Sequence, residues 1–107
     1  MKESEWKKFK KLKEKCLERY CEEVLSDAQS ICNLDGKTNH ERYLELYQLM
    51  KTKDKELGKA FDGLSRNLAH SQLLLMFRKG LVREAELNEF EIETINSIKE
   101  TIKIWNS

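Results

Sequence analysis

The sequence contains no proline and only four glycines in 107 residues. Proline breaks helix interiors and glycine supplies turns, so the scarcity of both favours long helices and disfavours turn-rich β architectures. The longest apolar run, LLLMF at residues 73–77, is far shorter than the roughly 20 residues that a membrane-spanning helix needs. The N-terminus reads MKESEW and lacks the apolar stretch of a secretory signal. We therefore expect a single all-α domain over residues 1–107 that is cytoplasmic and not bound to a membrane.

Cysteine and histidine are also scarce. Cys16, Cys21 and Cys32 follow a C-x4-C-x10-C spacing, which fits neither a disulfide framework nor a zinc site, and we interpret them as free thiols of a reducing compartment. His40 and His70 belong to no Glu-x-x-His or His-x-x-x-His pair, which di-iron bundles and zincins require. No P-loop or nucleophile elbow occurs. We expect a protein that is not an enzyme and carries no cofactor or metal.

Charge is segregated along the chain although the total is only +1. Residues 1–15 carry seven lysines against three glutamates, whereas residues 16–36 carry one arginine against five acids. Residues 37–80 hold nine bases and five acids, and residues 81–107 hold three bases and six acids. Alternating blocks of opposite sign are typical of helices that pack against each other, within one chain or between chains.

The first predicted helix begins at Glu5, is capped by Ser4, and ends at the turn residues Asn33–Gly36. Its apolar positions recur every three or four residues, which is the helical period. A second apolar row widens this face towards the C-terminal half of the helix. The first row is Trp6, Phe9, Leu12, Cys16, Tyr20, Val24, Ala28 and Ile31, and the second is Leu17, Cys21, Leu25 and Cys32.

Thr38 and Glu41 have the spacing of a capping box. The apolar stripe that follows keeps its phase across Gly63, so we predict one long helix over residues 39–79, with a break near Gly58 or Gly63 as the alternative. Gly80 is predicted to end this helix. A short helical turn over residues 83–90 and a last helix over residues 92–105 complete the chain.

A helix of 40 residues is about 60 Å long, too long for a single chain of this size to cover. The economical solution is a long antiparallel helical hairpin, with the short and the C-terminal helix, in a helical bundle that dimerisation completes. We expect a homodimeric interaction or regulatory module that presents helical surfaces to a protein partner. The predicted interface consists of Tyr43, Tyr47, Met50, Leu74, Leu75 and Phe77, because the 73–77 run covers every side of a helix and tyrosine and methionine are favoured at interfaces.

The alternative is a small regulator that binds nucleic acid through the lysine-rich first helix, with Lys7, Lys8, Lys10 and Lys11 as contacts to a polyanion. Two features of the sequence weigh against it. The cluster contains no arginine for bidentate contacts with bases, and the lysines fall all around the helix rather than on one face.

Overall fold

The chain folds into five helices in the computed structural model, which describes residues 1–106. No β-strand occurs within those residues, and the predicted all-α class is confirmed. The helices are α1 (Glu3–Cys32), α2 (Asn39–Phe61), α3 (Arg66–Arg78), α4 (Glu84–Leu87) and α5 (Ile92–Trp105).

Helix α1 begins two residues before the predicted start. Its N-cap is Lys2, whose side chain makes no capping hydrogen bond, so the predicted cap at Ser4 is wrong. Glu3 and Glu5 place negative charge in the first turn instead, where it interacts favourably with the helix dipole. The first apolar row is buried from the second turn onward, at Phe9, Leu12, Cys16, Tyr20 and Val24.

Helix α2 begins with the predicted capping box. The Thr38 hydroxyl accepts a hydrogen bond from the Glu41 amide at 3.1 Å, and the Glu41 carboxylate accepts one from the Thr38 amide at 3.0 Å. The continuous helix over 39–79 is wrong, because α2 ends at Phe61. Gly63 adopts a φ of +77°, and the Ser65 side chain then caps α3 by accepting from the Leu68 amide.

Two polar side chains hold this break in place. The buried amide of Gln72 donates to the Asp62 carbonyl at 2.8 Å and accepts from the Lys13 ammonium at 3.2 Å. Lys13 also donates to the Gly63 carbonyl at 2.5 Å. Carbonyls released by the end of α2 are therefore satisfied by α3 and α1.

Helix α3 ends as predicted at Gly80, where φ is +77°. The Gly80 amide donates to the Phe77 carbonyl and the Leu81 amide to the Met76 carbonyl, both at 3.0 Å, which is the Schellman pattern. Helix α4 is shorter than the predicted turn over 83–90, whereas α5 contains all the apolar positions predicted for the last helix, from Ile92 to Trp105.

Helices α1 and α2 form the predicted antiparallel hairpin. The Tyr20 hydroxyl donates to the Lys53 carbonyl at 2.8 Å near the middle of the hairpin, and Arg42 donates to the Leu34 carbonyl at its tip. Helix α3 turns back along α1 and packs against α1, α2 and α5. We call residues 21–53 the arm and the rest of the described chain the head. Of the buried hydrophobic residues, only Val24 lies in the arm, so the head contains nearly all of the core.

Candidate interaction surface

The head lies beside one flank of the arm, which is formed by the two long helices. Gly80 and Leu81, at the end of α3, face Glu23 and Asp27 of α1 across a shallow groove. Nearby, the Lys79 ammonium lies 3.4 Å from the carboxylate of Glu56 on α2. Both contacts place the α3–α4 connection on this side, which we call the covered flank. Its arm residues are charged or polar, as expected for a solvated rim.

A bidentate ion pair attaches helix α4 to the same side of α1. The guanidinium of Arg19 lies 2.7 and 2.9 Å from the two carboxylate oxygens of Glu86, and one of its nitrogens also donates to the Leu81 carbonyl at 2.8 Å. These hydrogen bonds lower the pKa of Glu86 to about 2, against the opposing effect of burial. The pair fixes the head firmly to one side of α1.

The opposite side of the arm carries an apolar surface that is mostly exposed. Leu25 is 60% exposed, Tyr43 66%, Tyr47 55% and Met50 44%. Leu25, Cys21 and Met50 line one groove between α1 and α2, which places them on the same side. Helical spacing adds Tyr43 and Tyr47, seven and three residues before Met50, and Cys32, seven residues after Leu25. We call this surface the apolar flank: Cys21, Leu25, Cys32, Tyr43, Tyr47 and Met50.

The groove in the apolar flank lies at the base of the arm, where it joins the head. It has a volume of about 260 Å³. Its walls are mostly apolar, and its two charged residues come from α2. The lining residues are Tyr20, Cys21, Val24, Leu25, Met50, Lys53, Asp54 and Leu57.

The predicted interface residues separate into two groups. Tyr43, Tyr47 and Met50 are exposed on the apolar flank. Leu74, in contrast, is buried, and Leu75 and Phe77 are half-buried against the head core. The break at Gly63 folds α3 between α1, α2 and α5, so the 73–77 run is covered within the chain. Leu74, Leu75 and Phe77 therefore belong to the head and do not share a surface with the other three predicted interface residues.

The lysines of the predicted polyanion contact lie beside acidic groups of the same chain. Lys8 donates to the Glu89 carbonyl at 2.8 Å, and Lys8 and Lys11 line a shallow groove together with the side chains of Glu86 and Glu89. Lys10 lies over the Trp6 ring, 5.5 Å from its centroid. Lys7 is exposed. Acidic side chains of the α4 region therefore interrupt the basic stripe that phosphate binding favours.

The reactive residue types are dispersed. Among residues 1–106, no three His, Cys, Asp or Glu side chains are grouped closely enough to hold a metal ion. Cys16 is buried, its thiol donates to the Leu81 carbonyl at 3.4 Å, and burial raises its pKa to about 11. His40 and His70 are exposed. Within the same residues no helix is both long and apolar enough to cross a bilayer.

Sequence reasoning found the α2 half of the apolar flank and missed the α1 half. The residues Cys21, Leu25 and Cys32 were visible as the second apolar row of the first helix. In the sequence, this row indicates a widening of the apolar face of the helix. That face would be buried only if other helices surrounded α1 along its whole length. In the structure the head surrounds only the N-terminal half of α1, so the same row faces solvent in the arm.

The chain matches no known protein-family model, no curated protein and no solved structure.

Proposed function

We propose that this protein is a non-catalytic helical interaction module, and that two copies associate through their apolar flanks. The observation that carries this proposal is the concentration of exposed apolar residues on one flank of the arm. On the flank beside the head the exposed residues are polar, among them Glu23 and Asp27, whereas the apolar residues Tyr43, Tyr47, Leu25 and Met50 are exposed together on the other. Apolar residues scattered singly over a surface need no explanation, but a contiguous patch rimmed by polar residues is typical of an interaction site.

A second copy of the chain is the partner that fits this surface best. A two-helix hairpin with one apolar face is half of a four-helix bundle, and an isologous interface brings the same patch of both copies together. The acidic residues Glu23 and Asp27 lie on the covered flank, so two apolar flanks can meet without burying these two charges, whereas Glu18 and Glu22 line a groove beside Cys21 and Leu25. Tyrosine and methionine at the centre of the patch are residue types that interfaces favour.

The size of the apolar flank sets the expected strength of the dimer. Residues 21–32 of α1 span about 18 Å, and two adjacent helices are about 20 Å wide. The patch is thus a few hundred Å² on each copy, below the roughly 800 Å² per partner of a standard specific interface. We therefore expect a reversible dimer whose population rises with protein concentration.

Sedimentation velocity tests the proposal over micromolar to millimolar concentrations of the reduced protein. The wild-type mass should rise with concentration from 12.7 kDa to twice that value, and Met50→Glu should keep the chain monomeric. Leu44→Glu is the matched control, because Leu44 and Met50 have similar exposures of 47% and 44% but point about 120° apart around α2. Both variants add the same charge to the same helix.

Two results would contradict the proposal. One is a wild-type chain that stays monomeric at the highest concentration. The other is a dimer that Leu44→Glu weakens as much as Met50→Glu does, since that would place the interface elsewhere on α2. Circular dichroism of both variants, with α-helical content equal to that of the wild type, ensures that a loss of dimer is not a loss of folding.

A further inference from the structure

The apolar flank carries both a projecting aromatic residue and a groove, and we infer that each copy inserts Tyr43 into the groove of the other. In this arrangement the two arms lie antiparallel and the two heads lie at opposite ends. The inference rests on the proposed self-association and adds its geometry. It follows from three features of the flank, namely the groove, the tyrosine and the distance between them.

The groove is large enough for an aromatic ring. Its volume is about 260 Å³, whereas an apolar cavity of about 150 Å³ suffices to bind benzene. Val24, Leu25 and Leu57 supply apolar walls for the faces of a ring. Asp54 lies at the groove and is exposed, so its carboxylate can accept a hydrogen bond from a phenol. A tyrosine, with an apolar body and a polar tip, matches this combination.

Tyr43 is 66% exposed, more than Leu25, Tyr47 or Met50 of the same flank. It lies near the tip of the arm, eleven residues before Asp54, which is three helical turns or about 16 Å from the groove. Tyr43 and the groove lie on the same side of α2, but this distance is too long for the tyrosine to reach the groove of its own chain. A two-fold axis perpendicular to the arms can cross them midway between Tyr47 and Met50. This axis places the tip of each arm over the base of the other, so each Tyr43 lies at the level of the partner's groove.

The other two-fold arrangement of the arms leaves the groove unfilled. If the arms were parallel, each groove would face a groove and each Tyr43 would lie at the level of the partner's Tyr43, about 16 Å from the partner's groove along the helices. Unfilled space next to apolar side chains forfeits their contacts, and anchor residues of interfaces characteristically sit in pockets. The antiparallel arrangement is therefore the one in which the flank complements itself.

The antiparallel arrangement also specifies the relation between two cysteines. Leu25 and Met50 line the same groove and so lie at the same level of the arm. Because residue numbers run in opposite directions on α1 and α2, the axis level between Tyr47 and Met50 on α2 corresponds to the level of residues 26–27 on α1. This level is midway between Cys21 and Cys32. The two-fold axis through this level brings Cys21 of each copy opposite Cys32 of the other. Two copies of the same cysteine remain about 16 Å apart along the helices.

Cross-linking with a short bis-maleimide tests this relation. Cys21→Ser alone and Cys32→Ser alone should give no cross-linked dimer, whereas an equimolar mixture of the two variants should give one. Both variants retain Cys16, which is buried, so it contributes equally to every sample. Peptide mapping of the mixture should find Cys21 joined to Cys32, and adding Met50→Glu to both chains should abolish the product.

The outcomes separate the arrangement from the association itself. If the mixture gives no cross-link while sedimentation detects a dimer that Met50→Glu disrupts, the antiparallel arrangement is wrong and the proposed function stands. The arrangement is equally wrong if either single variant cross-links as well as the mixture does. If sedimentation detects no dimer, both fail. As a second readout, Tyr43→Ala should weaken association at least about tenfold, and Leu44→Ala should leave it unchanged.

Discussion

The carboxylate of Glu5 caps the N-terminus of α5, a helix at the other end of the chain. One oxygen of Glu5 accepts a hydrogen bond from the Glu91 amide at 2.9 Å, and the other accepts from the Thr94 hydroxyl at 3.3 Å. Glu91 is the N-cap of α5, and its own side chain makes no capping hydrogen bond. Because Glu5 is only 5% exposed, the first turn of α1 and the first turn of α5 depend on each other.

Replacing Glu5 should therefore loosen α5. We expect Glu5→Ala to lower the free energy of unfolding by about 1–2 kcal/mol, the usual cost of losing an N-cap. Amide hydrogen exchange should accelerate in the first turn of α5 more than elsewhere. Glu3→Ala is the control, because Glu3 lies in the same turn but is exposed and pairs with Arg66. Equal effects of the two substitutions on α5 would contradict the capping role.

The ion pair between Arg19 and Glu86 predicts how stability depends on pH. Hydrogen bonds from Arg19 and the Arg83 amide lower the pKa of Glu86 from its ordinary 4.5 to about 2. A carboxyl whose pKa is lowered by folding stabilises the protein above its unfolded pKa, and this stabilisation is lost as the pH falls through the folded pKa. The contribution of Glu86 should thus be complete near neutral pH and disappear between about pH 4.5 and about pH 2.

Urea unfolding of the wild type and Glu86→Gln at several pH values measures this contribution. We expect Glu86→Gln to be less stable by about 2 kcal/mol near neutral pH, allowing for solvent screening of a partly exposed pair, and the difference to shrink towards pH 2. Glu84→Gln, on the same short helix but in an exposed ion pair with Lys99, should show little change. A difference between wild type and Glu86→Gln that does not vary with pH would refute the assignment.

The sequence predicts the helices and their caps well because those features are local. The capping box at Thr38 and the termination at Gly80 are each encoded within a few residues, and both are confirmed. The break at Gly63 was only the alternative to the predicted continuous helix, because the apolar stripe keeps its phase through Gly63. What decides between them is tertiary: Gln72 and Lys13, from α3 and α1, satisfy the carbonyls that a break exposes.

The candidate surface could be predicted only in part for the same reason. A helical stripe identifies apolar residues but does not say whether the chain itself covers them. Tyr43 and Leu74 both satisfy the interface pattern, yet the return of α3 buries Leu74 while Tyr43 remains exposed. Whether an apolar residue is buried or exposed depends on how far the head extends along α1. The local spacing of residues does not contain this information.

Glycine substitutions test whether the helix breaks at Gly63 or at Gly58. Gly63 has a φ of +77°, and an added Cβ would lie 3.2 Å from the Leu68 side chain, so Gly63→Ala should cost about 1–2 kcal/mol. Gly58 is helical, and an added Cβ would meet only the flexible end of Asp62. Gly58→Ala should therefore be neutral or stabilise the protein by up to about 1 kcal/mol. Thermal unfolding of both variants measures the difference, and a more stable Gly63→Ala would contradict the left-handed turn.

The three cysteines should differ in their rates of alkylation. Cys32 is exposed, Cys21 is half-buried and Cys16 is buried, so iodoacetamide should modify native Cys32 first and Cys16 last. Only the thiolate reacts, and because burial raises the pKa of Cys16 to about 11, its thiolate is rare at neutral pH. Peptide mapping over a time course gives the three rates, and labelling in concentrated urea should make them converge. If native Cys16 reacted as fast as Cys32, the contact between α1 and Leu81 would have to open readily. The ion pair of Arg19 with Glu86, which lies beside this contact, would then hold the head less tightly than its geometry indicates.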